Sequence, residues 1–148
     1  MSPSSPASPS GGNVPEVGAS DYLRSVLAPV HQDEGGSLAI TVAIPAGVVS
    51  GHAVHPAVWL RRMAAEVRSR PGPEQGKDAV ARIFETHASR RDDHTLSVNA
   101  LMDSINHVYL ADATLTSGSA PVTPGRGTLW QVALADVSAW TVGEPGPS

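Results

Sequence analysis

Hydrophobic and polar positions alternate most regularly in two blocks of the chain, and both alternations have the period of a strand. In the first block Leu38, Ile40, Val42 and Ile44 alternate with Ala39, Thr41 and Ala43. Pro45, Ala46 and Gly47 then turn the chain into a second run, Val48 to Val54, so this block predicts a hairpin. The second block is His107 to Gly143. Here Val108 and Leu110 point one way while Tyr109, Ala111, Ala113 and Leu115 point the other, which predicts a strand with at least one buried face. Thr116 to Thr128 is rich in Ser, Gly, Pro and Thr and reads as a surface loop that holds no ladder. Leu129 to Leu134 alternates again, a gap runs through Asp136, and a last strand spans about Ser138 to Val142.

Helical spacing fills the rest. Ser20 offers an N-cap to a short helix carrying Tyr22, Leu23, Val26, Leu27 and Val30, which ends at the polar break of His31. Pro56 opens a second helix, in which Trp59, Leu60, Met63, Ala64 and Val67 form an apolar stripe up to Pro71. Asp78 is placed to cap a third, with Val80, Ile83, Phe84 and His87 on one face and an end at Ser89–Asp93. Leu96 to Ile105 reads either way, because Val98, Leu101, Met102 and Ile105 suit a helix while Asn99, Ser104 and Asn106 weaken it. The order predicts an α+β fold: an N-terminal helix, a strongly bent five-stranded barrel-like sheet of the Sm or SH3 kind, and a helical insertion at about 56–105 between strands two and three.

Length and composition narrow this picture. The chain has 148 residues, enough for one core. Residues 20–143 read as a single domain, 1–19 as a disordered Ser/Pro/Gly tail and 144–148 as a flexible end. Six aromatic residues leave the core to Val, Leu, Ile and Ala, with Trp59, Trp130 and Trp140 as its large pieces. No cysteine is present, which excludes disulfides and thiolate metal sites and fits a reducing cytoplasm. No apolar run is long enough to span a bilayer, and no charged segment followed by an apolar one marks a secretory signal. A cytoplasmic location without membrane association is the expectation.

The net charge of −4 and a single lysine, Lys77, argue against nucleic-acid binding, which needs a basic footprint. The charge is unevenly spread: eight basic residues and four acidic ones lie between 61 and 91, so this segment is basic and the remainder acidic. Solvated helix faces account for most of it, and a docking face for an acidic partner is the alternative. Candidate chemistry is sparse. His52 and His55 sit at a strand end without the further ligands a metal needs. Asp92, Asp93 and His94 read as a solvated helix terminus. Ser50 and His52 share a strand face without an orienting acid, and Gly125-Arg126-Gly127 lacks the strand and helix context of a nucleotide loop. These residues predict no catalytic, cofactor or metal site, and therefore a protein that is not an enzyme.

Two blocks carry a family resemblance: DYLRSVLAPVHQDEGGSLAITVAIPAGVVSG, and HVYLADATLTSGSAPVTPGRGTLWQVALADVSAWTVG. They resemble the gas vesicle accessory protein U family, with His107, Leu110, Gly127, Trp130, Val137, Trp140 and Gly143 at the matching positions. Where that family has Trp-Arg-Gly, this chain has Trp130, Gln131 and Val132, and the middle, Pro71 to Asn106, is longer. The resemblance implies a non-catalytic accessory of gas vesicles, which are gas-filled protein shells. It would act on vesicle assembly, surface or clustering, as a homo-oligomer in contact with the shell or with other gas vesicle proteins. The competing reading is an Sm-like ring that binds RNA, which the acidic balance disfavours.

Overall fold

A computed structural model of the chain describes residues 19–91, 97–118, 120–121 and 128–143. Of the expected tail at 1–19 all but Ala19, which opens the first helix, lies outside these, as do 144–148, the Asp92–His94 cluster and the Gly125–Gly127 loop. Ten elements follow in order: α1 (Ala19–Gln32), β1 (Ser37–Ile44), β2 (Gly47–Val54), α2 (Pro56–Ser69), α3 (Glu74–Ser89), α4 (Val98–Ser104), β3 (His107–Ser117), β4 (Ala120–Pro121), β5 (Thr128–Ala133) and β6 (Ala139–Val142). A 3-10 turn, Leu134–Asp136, joins the last two.

All strands belong to one antiparallel sheet in the order β4-β3-β2-β1-β6, with β5 beside the first part of β3. The two edges are linked by residues 134–138 alone. The Leu134 amide donates to Asn106 O at 2.9 Å, and the Ser138 amide to Ala43 O at 2.9 Å. In a flat sheet these edges would lie about 19 Å apart, whereas a connection that spends three residues in a 3-10 turn reaches only about 16 Å. The sheet must therefore curl. It does not close: among the described residues β5 and β6 share no ladder. The barrel-like sheet expected from the element order is thus a bent, open one.

The curl has a local cause in β3. The pairing of β3 shifts between Leu110 and Ala113 against β5, and that of β2 shifts between Ser50 and His52 against β3. Asp112 occupies this bulge with φ of 51°, a left-handed conformation that Asp tolerates. Gly51 lies opposite, and a Cβ there would stand 2.8 Å from the Ala113 Cβ and 2.9 Å from the Ala111 carbonyl oxygen. One extra residue reverses the alternation. Ala113 and Leu115 join Val108 and Leu110 in the main core, while Tyr109 and Ala111 face the other way. The uninterrupted alternation expected for this strand is corrected accordingly.

Two cores result. On one side of the sheet Leu23, Leu27 and Ala28 of α1 and Leu101 and Ile105 at α4 bury against Ile40, Val42, Val49, Val108, Leu110 and Val132. On the other, α2 lies over the first half of β3, with Trp59, Leu60 and Ala57 against Val54, Tyr109 and Ala111, and α3 packs onto α2 through Ala88 and Phe84.

Several boundaries differ from expectation. α1 runs on through His31, because the imidazole is buried instead of ending the helix in water. Ser20 sits inside its first turn. α3 begins at Glu74 with Pro73 as N-cap, and Asp78 lies in its interior, bound to Arg68 and Arg82. Its buried positions are Ala81 and Ala88, so Val80 and Ile83 face solvent. The hairpin of β1 and β2 turns through Pro45 and Ala46 only, since Gly47 already pairs with Ile44. Thr116 and Ser117 hold a short ladder with Pro121 and Ala120, where an unpaired loop was expected. The ambiguous stretch is helical over Val98–Ser104, capped by the Ser97 hydroxyl, which accepts from the Ala100 amide.

Candidate functional site

The buried polar groups gather beneath α2. The Nδ1 of His55 accepts the Ala57 amide at 3.0 Å, so this imidazole serves as the N-cap that starts α2. It is 2% exposed. The Trp59 indole N–H donates to Leu110 O at 3.2 Å and ties the helix to the sheet beneath it. Trp59 meets the Tyr109 ring edge-on at 5.4 Å between centroids and the Phe84 ring at 6.5 Å. Tyr109 also lies 6.2 Å from the His31 ring and 6.1 Å from the His107 ring. Its hydroxyl accepts from Arg91 Nη2 at 3.1 Å and from Gln131 Nε2 at 3.3 Å, and the Arg91 guanidinium lies 5.5 Å from the ring centroid.

His31, 4% exposed, sits in this setting with its pKa lowered to about 4. Burial is the largest cause, followed by the nearby His55 and Arg91. It is therefore neutral at pH 7. Rigid aromatic packing, a cap and a neutral imidazole make a structural joint between α1, α2 and β3.

The surfaces are more open. Two adjoining hollows of about 400 and 350 Å³ run between α2 and the sheet. Arg62, Glu66, Ser69 and Asp112 line the first, and Met63, Val67, Arg70, Leu129 and Trp130 the second. A third, of about 310 Å³, lies over Thr41, Ala43, Val48 and Ala139 on the outer face of β1, β2 and β6. On that face Thr41 Oγ1 is 2.9 Å from Ser50 Oγ and donates to Gly143 O at 2.9 Å.

The basic segment is largely neutralised where α2 and α3 meet. Arg68 bonds Glu85 at 2.6 Å and Asp78 at 3.0 Å, Arg82 bonds Asp78, and Arg70 bonds Glu66. The same contacts lower the pKa of Glu85 through its bonds to Arg68. Arg61 pairs with Glu34. A cationic docking face is correspondingly weakened.

The residues weighed in the sequence are thus dispersed. His52 lies on β2 opposite Ala39, while His55 caps α2. Ser50 is engaged by Thr41. Among the described residues no three His, Asp or Glu side chains gather as metal ligands. Trp59 is core, and Trp130 and Trp140 are partly buried against the main core. Sequence reasoning missed the joint at His31. Its one signal was spacing, since His31 follows Leu23 and Leu27 along the buried stripe of α1.

The described residues thus form an open, curled α+β sheet with a buried structural joint and shallow surface hollows. Residues 21–145 match the family model of gas vesicle protein GvpU-like. The chain belongs to that family, and is a gas vesicle-related protein. No curated protein matches it. No solved structure matches it either. No helix among the described residues is long and apolar enough to cross a membrane.

Proposed function

We propose that this chain is a non-catalytic gas vesicle accessory that acts on vesicle assembly, surface or clustering by associating with itself and with the shell or other vesicle proteins. The observation that carries this reading is the family match, which spans nearly all of the chain between its two ends. The structure supports it in three ways. Its buried histidines serve packing and capping, His31 against the Tyr109 ring and His55 at the start of α2. Among the described residues no strand pairs with the outer edge of β5 or of β6, an arrangement that offers backbone donors and acceptors to other chains. Its bent, open sheet is compatible with the Sm- or SH3-like barrel architecture proposed for it. In this reading residues 20–143 act as one domain, located in the cytoplasm and at the vesicles.

The test is floatation: purified gas vesicles are mixed with the protein, centrifuged, and the floating layer is assayed for it. Co-floatation across a range of salt is expected. Protein left in the subnatant at every salt concentration would defeat the shell-contact part of the proposal, and salt-sensitive binding of single-stranded RNA would then favour the ring-forming alternative.

A further inference from the structure

We propose that the free edge of β6 is a two-fold interface with a second copy of this chain, in antiparallel register centred on Thr141. The inference rests on the self-association reading above and narrows it to one strand and one register.

The parity of the β1–β6 ladder decides which groups are available. The Gly143 amide donates to Ala39 O at 2.7 Å, and the register pairs Ile40 with Val142, Thr41 with Thr141, Val42 with Trp140 and Ala43 with Ala139. In an antiparallel pair the residues that exchange hydrogen bonds alternate with those that do not. Ala139, Thr141 and Gly143 therefore turn their backbone groups inward to β1, and Trp140 and Val142 turn theirs outward.

A two-fold axis at Thr141 sets Trp140 of one copy opposite Val142 of the other, and the reverse. Both outward residues of each strand are then satisfied, with roughly four hydrogen bonds across the axis. A centre at Trp140 or at Val142 would leave the other residue opposite a position outside the strand. The symmetric arrangement uses one patch twice, the usual form of a homodimer.

The side chains fit this register. Val142, opposite Ile40, lies on the core side of the sheet yet is 53% exposed, and among the described residues no strand pairs beyond it. Trp140, on the same side opposite Val42, is only partly buried. Pairing would lay each Val142 against the Trp140 of the other copy, extending the main core across the axis. On the outer face Thr141 would meet Thr141. Edge strands are ordinarily blocked by a charge, a proline or a bulge. Ala139–Val142 has neither charge nor proline, and its ladder with β1 runs without a register shift. The β5 edge differs, since the hollow beside it is rimmed by Glu66 and Arg70 of α2.

The absence of cysteine gives a clean experiment on the full chain. In this register the two Thr141 Cα atoms are a non-hydrogen-bonded pair about 4.5 Å apart, within reach of a disulfide. The two Ala139 positions, each opposite Gly143 of the other copy, are about 14 Å apart. Mild oxidation is expected to convert Thr141→Cys to a covalent dimer while Ala139→Cys stays uncross-linked. Sedimentation equilibrium is expected to show a dimer that Val142→Lys weakens by roughly tenfold or more, with far-UV circular dichroism unchanged. A monomer at every concentration overturns this proposal together with the self-association reading. An oligomer in which Thr141→Cys resists cross-linking, or which Val142→Lys leaves intact, overturns the β6 interface alone and moves the contact to the β5 edge.

Discussion

Protonating His31 opposes folding. Its folded pKa of about 4 lies below the usual value of 6.5, so between these two pH values the unfolded chain holds the extra proton. The stability contributed by the neutral imidazole is complete above pH 6.5 and falls as the pH drops toward 4, by about 3 kcal/mol in all. Urea unfolding of the wild type and of His31→Phe at pH 7.5 and 4.5 is expected to show a smaller pH-dependent loss in the variant; equal losses would mean that the imidazole is not held neutral. Gly51 is constrained by space. A methyl group at this position meets Ala113 and the Ala111 carbonyl closer than carbon and oxygen atoms normally approach, so the facing backbone of β3 must shift to admit it. Gly51→Ala is expected to cost about 1–3 kcal/mol, read as a lower urea midpoint with an unchanged slope.

Among the elements, the α2–α3 pair depends on two kinds of contact. Its inner side is held by Trp59, which fills the space between Phe84 and Tyr109 and anchors to the Leu110 carbonyl. Trp59→Ala is expected to destabilise the chain by about 3–5 kcal/mol and to loosen α2 from β3. Hydrogen exchange should show this as a loss of protection over Pro56–Ser89 that exceeds the loss in β1 and β2. The outer side is held by Arg68 between Asp78 and Glu85, all solvent-exposed. Exposed ion pairs are screened by salt. Arg68→Met should therefore lower the melting temperature at low ionic strength by a margin that shrinks as salt is added, and a salt-independent margin would point to packing of its aliphatic stem.

For the molecule as a whole, β3 is the shared wall of both cores. Val108 and Leu110 face one and Tyr109 and Ala111 the other, so neither layer can melt while the other keeps its surface. One cooperative transition follows. Tryptophan fluorescence, which reports Trp59 in one core and Trp140 against the other, should coincide with far-UV circular dichroism during urea unfolding. Among the described residues the same sheet leaves two edges unpaired, and the curl brings both to the ends of one short connection. Association through either edge lengthens the sheet without disturbing either core.

The sequence by itself determined the main helices and strands and their order, though not β4 or the choice of helix for α4. The alternation of β1, the hairpin at Pro45–Ala46, the apolar stripe of α2 and the strand at His107 are local patterns, and local sterics and solvation act on them before any long-range contact forms. The two family-like blocks were legible for the same reason, since their apolar and glycine spacing is linear in the chain. The bulge at Asp112 was beyond this reading, because a shift of one residue shows only against the partner strands. So was the start of α3, where Arg68 holds Asp78 inside the helix instead of at its cap. The burial of His31 likewise waited on Tyr109, far along the chain, to cover it. Whether the sheet closed was decided by tertiary structure alone: closure depends on the distance between two edges that the chain joins only through its last turn, and that distance is set by the summed curl of every strand between them.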